Sequence, residues 1–223
     1  VPTPEPLERE VAVQIADAIL EGILVRPRDA IGLVVFAHGS GSSRHSPRNR
    51  YVASVLNQAK IATLLFDLLT HEEGIVDERT RHLRFDIDLL ARRVRGTIDW
   101  LGEQRHLAGL ALGLFGASTG AAAALVAAAA RPERVAVVVS RGGRPDLAGR
   151  ALLEVRAPTL LLVGEYDREV LDLNETARRQ MTQAEVELQV VAGASHLFEE
   201  PGALEDAASR AAAFFTSHLA RAS

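Results

Sequence analysis

Gly116-Ala117-Ser118-Thr119-Gly120 reads G-x-S-x-G, and its flanks fit the mechanics of that pattern. Before it runs Leu110-Ala111-Leu112-Gly113-Leu114-Phe115, an apolar segment of strand length. After it runs the near-pure alanine tract Ala121 to Ala130, a strong helix former. A serine at a sharp strand-to-helix turn projects its hydroxyl away from the backbone, and the helix N-terminus beside it offers free N–H groups to a developing oxyanion. The flanking glycines let strand and helix approach more closely than side chains would allow.

Working outward, strand-like and helix-like segments alternate from residue 31 to the end. That alternation is the pattern of an α/β fold with a mostly parallel sheet. Val11 to Ile15 and Leu20 to Val25 read as two short antiparallel strands at one edge, after an irregular start over residues 1–8. Ile31 to Ala37 is a continuous apolar run, as expected of a central strand buried on both faces. A polar glycine-serine loop, a helix from about Pro47 to Lys60 and a strand from Ile61 to Phe66 follow.

Leu68 to Arg81 reads as an acidic, irregular connection over a site. Apolar residues recur at helical spacing through Arg84 to Gln104. Beyond the serine turn, Val135 to Val139, Thr159 to Val163 and Val186 to Val191 are strands. Helices are expected near Leu171 to Met181 and Ala203 to Arg221. No repeat or linker divides the 223 residues, so the expectation is one domain over 1–223 with a mostly parallel central sheet, flanking helices and no separate cap domain.

Composition narrows the function. A net charge of −4 gives no global electrostatic case for nucleic acid or an anionic membrane. With no cysteine, disulfides, thiolate metal sites and a cysteine nucleophile are excluded. No apolar run approaches the ~20 residues of a membrane span. Val1 to Pro6 lacks the basic head and apolar core of a signal peptide, so the expected location is cytoplasmic. It also lacks an initiator methionine, so an upstream segment is expected to have been trimmed. Lys60 is the only lysine among many arginines, the mark of a GC-rich, bacterial genome.

In parallel α/β sheets, functional groups gather at the carboxyl ends of strands. The strand Thr159 to Val163 ends in Gly164-Glu165-Tyr166-Asp167, and Val186 to Val191 ends in Gly193-Ala194-Ser195-His196. In triad logic His196 takes the Ser118 proton while Asp167 orients and stabilises the imidazole. Glu165, Asp172 and Asp146 are rivals for the acid. The oxyanion hole needs two donors. Thr119 N–H is the first and Ser40 N–H, in the loop His38-Gly39-Ser40-Gly41, is the second. His38 reads as a brace for that loop.

These four stretches resemble the dienelactone hydrolase-like members of the α/β-hydrolase superfamily, over essentially the whole chain. The resemblance implies the order Ser118, Asp167, His196 for the triad, and ester or lactone hydrolysis with no metal and no organic cofactor. Dienelactone hydrolases proper use a cysteine where this chain has Ser118, so the resemblance favours a serine carboxylesterase acting on a small-molecule ester.

Other residues stay open at this point. Arg141 lies at a strand end, where it either binds a substrate carboxylate or pairs with an acid such as Asp67 or Glu72. Arg44, His45, Arg48 and Arg50 either meet an anionic substrate or form a solvated face. His71 is a further candidate for substrate contact. Two competing functions are a ligand-binding domain without turnover and a dinucleotide-binding protein. The second is disfavoured because Gly113-x-x-Gly116-x-x-x-Gly120 lacks the G-x-G-x-x-G spacing. The next strand also ends in Ser140-Arg141, with no carboxylate for a ribose. Composition does not fix the oligomeric state.

Overall fold

The fold is described from a computed structural model covering residues 7–221. Eight strands form one sheet: β1 (Leu7–Ile15), β2 (Ala18–Arg26), β3 (Gly32–Ala37), β4 (Ile61–Phe66), β5 (Leu112–Ala117), β6 (Val135–Arg141), β7 (Thr159–Gly164) and β8 (Val186–Val191). Their spatial order is β1-β2-β4-β3-β5-β6-β7-β8. β1 and β2 form a hairpin and β2 runs antiparallel to β4, whereas every pair from β4 to β8 is parallel. Residues 1–6 of the expected irregular start lie outside the described residues, and β1 begins at Leu7.

The continuous apolar runs lie in the centre because both faces of the sheet are covered. Every residue of β3, β4, β5 and β7 is buried. One face packs against α3 (Ile87–Glu103), α4 (Thr119–Ala130) and α5 (Arg168–Gln180), through residues such as Leu90, Val94, Ile98 and the α4 alanines. The other packs against α1 (Pro47–Gln58) and α6 (Ala203–Leu219), with Phe36, Phe115 and Phe215 in that layer. α4 is buried on nearly all sides, and its alanines let it sit tightly on the sheet. α1 starts where Ser46 caps the Asn49 N–H at 3.3 Å and Pro47 occupies the first turn.

One sequence expectation is corrected. The connection read as irregular contains the helix α2 (His71–Thr80). It opens with a reciprocal capping box: the Thr70 hydroxyl accepts from Glu73 N–H, while the Glu73 carboxylate accepts from Thr70 N–H. Asp77 is its only buried residue among those described, so polar anchors rather than an apolar stripe hold the helix. Glu73 bonds the buried Arg93, and Asp77 bonds Arg84 at 2.5 Å. Pro145–Glu154, unassigned from sequence, forms tight helical turns interrupted at Gly149.

Candidate active site

β4 lies on one side of β3 and β5 on the other, so the chain reverses its direction of winding there. A crevice opens at such a point, outside the carboxyl ends of the strands. The loops after β3 and β5 both run into it. Ser118 follows β5 and has φ 50° and ψ −122°, a region that non-glycine residues rarely occupy. Three bonds pin the turn. Ser118 N–H donates to the Arg141 carbonyl at 3.3 Å, and the Ser118 carbonyl accepts from Ala121 N–H and Arg144 N–H, each at 3.1 Å. Gly120 has no room for a side chain, because a Cβ there would lie 2.5 Å from the His38 carbonyl oxygen.

The loops after β7 and β8 are stapled together. Tyr166 N–H donates to the Ala194 carbonyl at 2.9 Å, and Gly193 N–H donates to the Glu165 carboxylate at 2.7 Å. Between them, Asp167 Oδ2 and His196 Nδ1 are 2.6 Å apart. The Asp167 carboxylate is mostly buried and the imidazole is half-buried. Of the rival acids, Asp146 is bonded by Arg144, Glu165 is spent on Gly193, and Asp172 is exposed. Among the described residues Ser118 Oγ makes no hydrogen bond to His196, although catalytic pairs are often loose in the absence of substrate. The two are nonetheless brought close through Arg141-Gly142: Arg141 bonds Ser118, and a Cβ on Gly142 would lie 3.7 Å from His196 Cε1. Phe198, two residues past His196, is buried at a strained φ of 56°.

The segments carrying the two expected oxyanion donors both adjoin Ser118. Thr119 is the first residue of α4, where a backbone N–H has no intrahelical acceptor. Gly39 packs against the serine, since a Cβ there would lie 3.2 Å from Ser118 Cβ. Beyond Gly39 opens a cavity of about 670 Å³ whose wall includes Ser40, Gly41, Leu68, His71 and Ile75. Ser118 lies just outside this wall. His71 is exposed on it.

Of the two readings of Arg141, the ion pair with Asp67 or Glu72 is not formed. Asp67 is taken by Arg44, and Glu72 is exposed on α2 with no bond to Arg141. Arg141 is 8% exposed, and its guanidinium lies 5.8 Å from the ring centres of both Phe115 and Phe198. The guanidinium's one hydrogen-bond partner among the described residues is Asn49 Oδ1, at 3.3 Å. Burial, with the nearby Arg48 charge, lowers its pKa to about 10, so it remains a cation at neutral pH. Sequence could not show this, because which acid reaches which arginine depends on packing. The arginine cluster after the β3 loop is neutralised: Arg44 by Asp67 and Glu21, Arg48 by Glu199, and Arg50 by Glu8. His45 is exposed.

With this geometry in view, comparison with known proteins is informative. Residues 30–215 match the model of the alpha/beta hydrolase domain family. The chain belongs to the α/β-hydrolases. Within them it is dienelactone hydrolase-like, being similar to a dienelactone hydrolase from Anabaena variabilis at 58% identity and a TM-score of 0.94. That match covers 96% of this chain and 99% of the other. An esterase from Pyrococcus furiosus shares the fold at a TM-score of 0.75 and 18% identity, covering 96% of this chain and 92% of its own.

Provisionally named phosphoribosyl transferases of two Mycobacterium tuberculosis strains are 55% identical over 212 residues, covering 95% of this chain and 47% of theirs. The chain thus spans about half the length of these curated relatives. Among the described residues no helix is long and apolar enough to cross a membrane.

Proposed function

We propose that this α/β-hydrolase is a serine hydrolase that cleaves carboxylic esters or lactones through an acyl-enzyme. The observation that carries the reading is the 2.6 Å bond between Asp167 and His196 Nδ1, made at the same sheet end as the strained Ser118 elbow. With Nδ1 engaged, Nε2 is the imidazole nitrogen free to accept the Ser118 proton. Ser118 Oγ then bonds the substrate carbonyl carbon, and the carbonyl oxygen takes the negative charge between Ser40 N–H and Thr119 N–H. Collapse expels the alkoxide, which receives the proton from His196. Water, deprotonated by the same nitrogen, releases the acid and restores Ser118.

The cavity beside Gly39 suits the part of the substrate that does not react. Its wall carries the pairs Arg44–Asp67 and Arg84–Asp77, and Glu21, Glu72 and Glu78 add negative charge. Glu72 is held ionised by its own backbone N–H and the Thr70 hydroxyl, which lower its pKa. This lining favours a small polar ester, neutral or cationic, with His71 as the contacting side chain. Arg141 is enclosed by its aromatic neighbours and Asn49, so we assign it no direct contact with the substrate.

The name of the mycobacterial relatives belongs to proteins about twice as long, and the half matched here carries the hydrolase fold. Turnover of short aryl esters by the wild type, with a loss of roughly 10⁴-fold or more in His196→Ala and Ser118→Ala, is expected. Folded variants with unchanged turnover would defeat the reading. A matched panel of cationic, neutral and anionic esters is expected to give the lowest kcat/KM for the anionic member; the reverse order would overturn the assignment of the cavity.

A further inference from the structure

The loop after β6 touches both halves of the catalytic machinery. The Arg141 carbonyl accepts from Ser118 N–H, and Arg144 N–H donates to the Ser118 carbonyl, so residues 141–144 hold the elbow from both sides of the serine. Gly142 N–H donates to the Leu162 carbonyl of β7 at 2.8 Å, and a Cβ on Gly142 would lie 3.0 Å from the His196 carbonyl oxygen. Gly143 is wedged against α4, since a Cβ there would lie 2.6 Å from Ala121 Cβ. Any shift of this loop therefore moves Ser118 relative to His196.

One side chain grips the backbone of this loop from α5. Asn174 is 0% exposed, and its Nδ2 donates to the Gly143 carbonyl at 2.9 Å. The same nitrogen donates to the Val170 carbonyl, one turn back in its own helix, at 2.7 Å. Both neighbours are carbonyls, which only accept, so the amide nitrogen must face them. Oδ1 is left buried with no partner among the described residues. An unpaired buried acceptor is costly, so packing alone would not favour asparagine here. What asparagine adds over an apolar side chain is the link to Gly143.

The helix that carries Asn174 begins at Asp167, which is its N-cap, and Leu171 N–H donates to the Asp167 carbonyl at 2.9 Å. Seven residues are close to two helical turns, so Asn174 lies below Asp167 on the same face, ~10 Å along the axis. Ser118 follows β5, whereas Asp167 and His196 follow β7 and β8, with β6 standing between. We infer that Asn174 is a positioning residue of the active site: by gripping the Gly143 carbonyl from the helix that begins at Asp167, it fixes the serine elbow relative to the Asp167–His196 pair. The inference rests on the serine hydrolase reading. Asn174 itself touches no reacting atom.

Two substitutions separate the two bonds of Asn174. Asn174→Leu removes both. Asn174→Thr is close to asparagine in volume, and its hydroxyl bonds the Val170 carbonyl four residues back but is too short to reach Gly143. Ala177→Gly, buried in the same helix, weakens α5 without touching the loop. Both Asn174 variants are expected to lose about 10²-fold in kcat on a short aryl ester with KM changed by less than about threefold, the size of effect that follows a displacement near 1 Å. Ala177→Gly is expected to lower Tm while kcat stays within about threefold of wild type.

A loss of kcat that simply tracks Tm across the three variants would overturn the inference, as would Asn174→Thr turning over like wild type. The rate of fluorophosphonate labelling at Ser118 reads the nucleophile without turnover. It is expected to fall in both Asn174 variants by a factor similar to kcat and to hold in Ala177→Gly. If wild type is labelled and the Asn174 variants are labelled equally fast, the inference alone is overturned. A folded wild type that takes no label would overturn the hydrolase reading, and the inference with it.

Discussion

Replacing Gly120 by alanine asks whether the elbow is as tightly built as its geometry requires. A Cβ at this position would lie 2.5 Å from the His38 carbonyl oxygen and 2.7 Å from the Ala37 carbonyl carbon. Carbon contacts ordinarily sit at roughly 3.5–4.0 Å, so β3 and α4 must part by about 1 Å. Neither obstacle is a flexible side chain: both are backbone atoms where a central strand runs into the loop that carries Ser40. Overpacking of this kind costs about 1–3 kcal/mol and occasionally more, and a rigid backbone places the cost at the upper end. Alanine regains up to about 1 kcal/mol of helix propensity.

The expected net loss is therefore about 2 kcal/mol, or a fall in Tm of about 4–8 °C for a chain of this size. Urea and thermal unfolding of purified protein measure it. Because β3 carries the loop with Ser40, ester turnover is expected to fall as well, by about 10²-fold for a displacement near 1 Å. The matched control is Gly74→Ala in α2, where a Cβ would meet nothing within 4 Å. That variant is expected to gain about 0.5–1 kcal/mol. If Gly120→Ala proved as stable as wild type, the account of the elbow would be wrong.

Three further outcomes follow from single positions. Ser118→Gly relieves a φ of 50° and is expected to raise stability by about 1 kcal/mol while abolishing turnover; lower stability would show that the elbow is unstrained. Arg141→Met removes a buried cation with no carboxylate partner, so calorimetry is expected to show stability unchanged or increased. A loss above about 2 kcal/mol would mean that Asn49 and the two rings compensate the charge fully. Burial alone would raise the Asp77 pKa, but the Arg84 bonds outweigh it and hold the value below 3.8. A depressed carboxyl pKa contributes stability above the unfolded value, and that contribution is lost as the pH falls through the folded one. The stability gap between wild type and Asp77→Asn is thus expected to be wide at pH 7 and to shrink below about pH 4; a gap independent of pH would contradict it.

How much of this was legible in the sequence depended on what held each element in place. β4 was readable to the residue, because an apolar run bounded by Lys60 and Asp67 leaves a buried strand little freedom in its limits, and β8, half-exposed at the sheet edge, was readable from the alternation of Val186, Leu188 and Val190 with Glu187 and Gln189. The positions of Ser118, Asp167 and His196 beyond strand ends followed from reading β5, β7 and β8. α2 was missed because it lacks an apolar stripe, and periodicity is blind to a helix anchored by ion pairs. Its capping box, Thr70 followed by Glu73, was nevertheless present as a signal. The surroundings of Arg141 could not be read at all, since the capture of Asp67 by Arg44 and the close approach of Phe115 and Phe198 arise only on packing. His38 was readable as a brace for its loop, but the Leu68 N–H that its Nε2 accepts, at 3.0 Å, was not.

The central claim is that Ser118 is an activated nucleophile. Treatment of the folded wild type with a fluorophosphonate, followed by peptide mass spectrometry, tests it most directly. The account requires one adduct per chain on the peptide carrying Ser118, with none in Ser118→Ala and strongly slowed labelling in His196→Ala. An unmodified Ser118 in protein shown to be folded would contradict it.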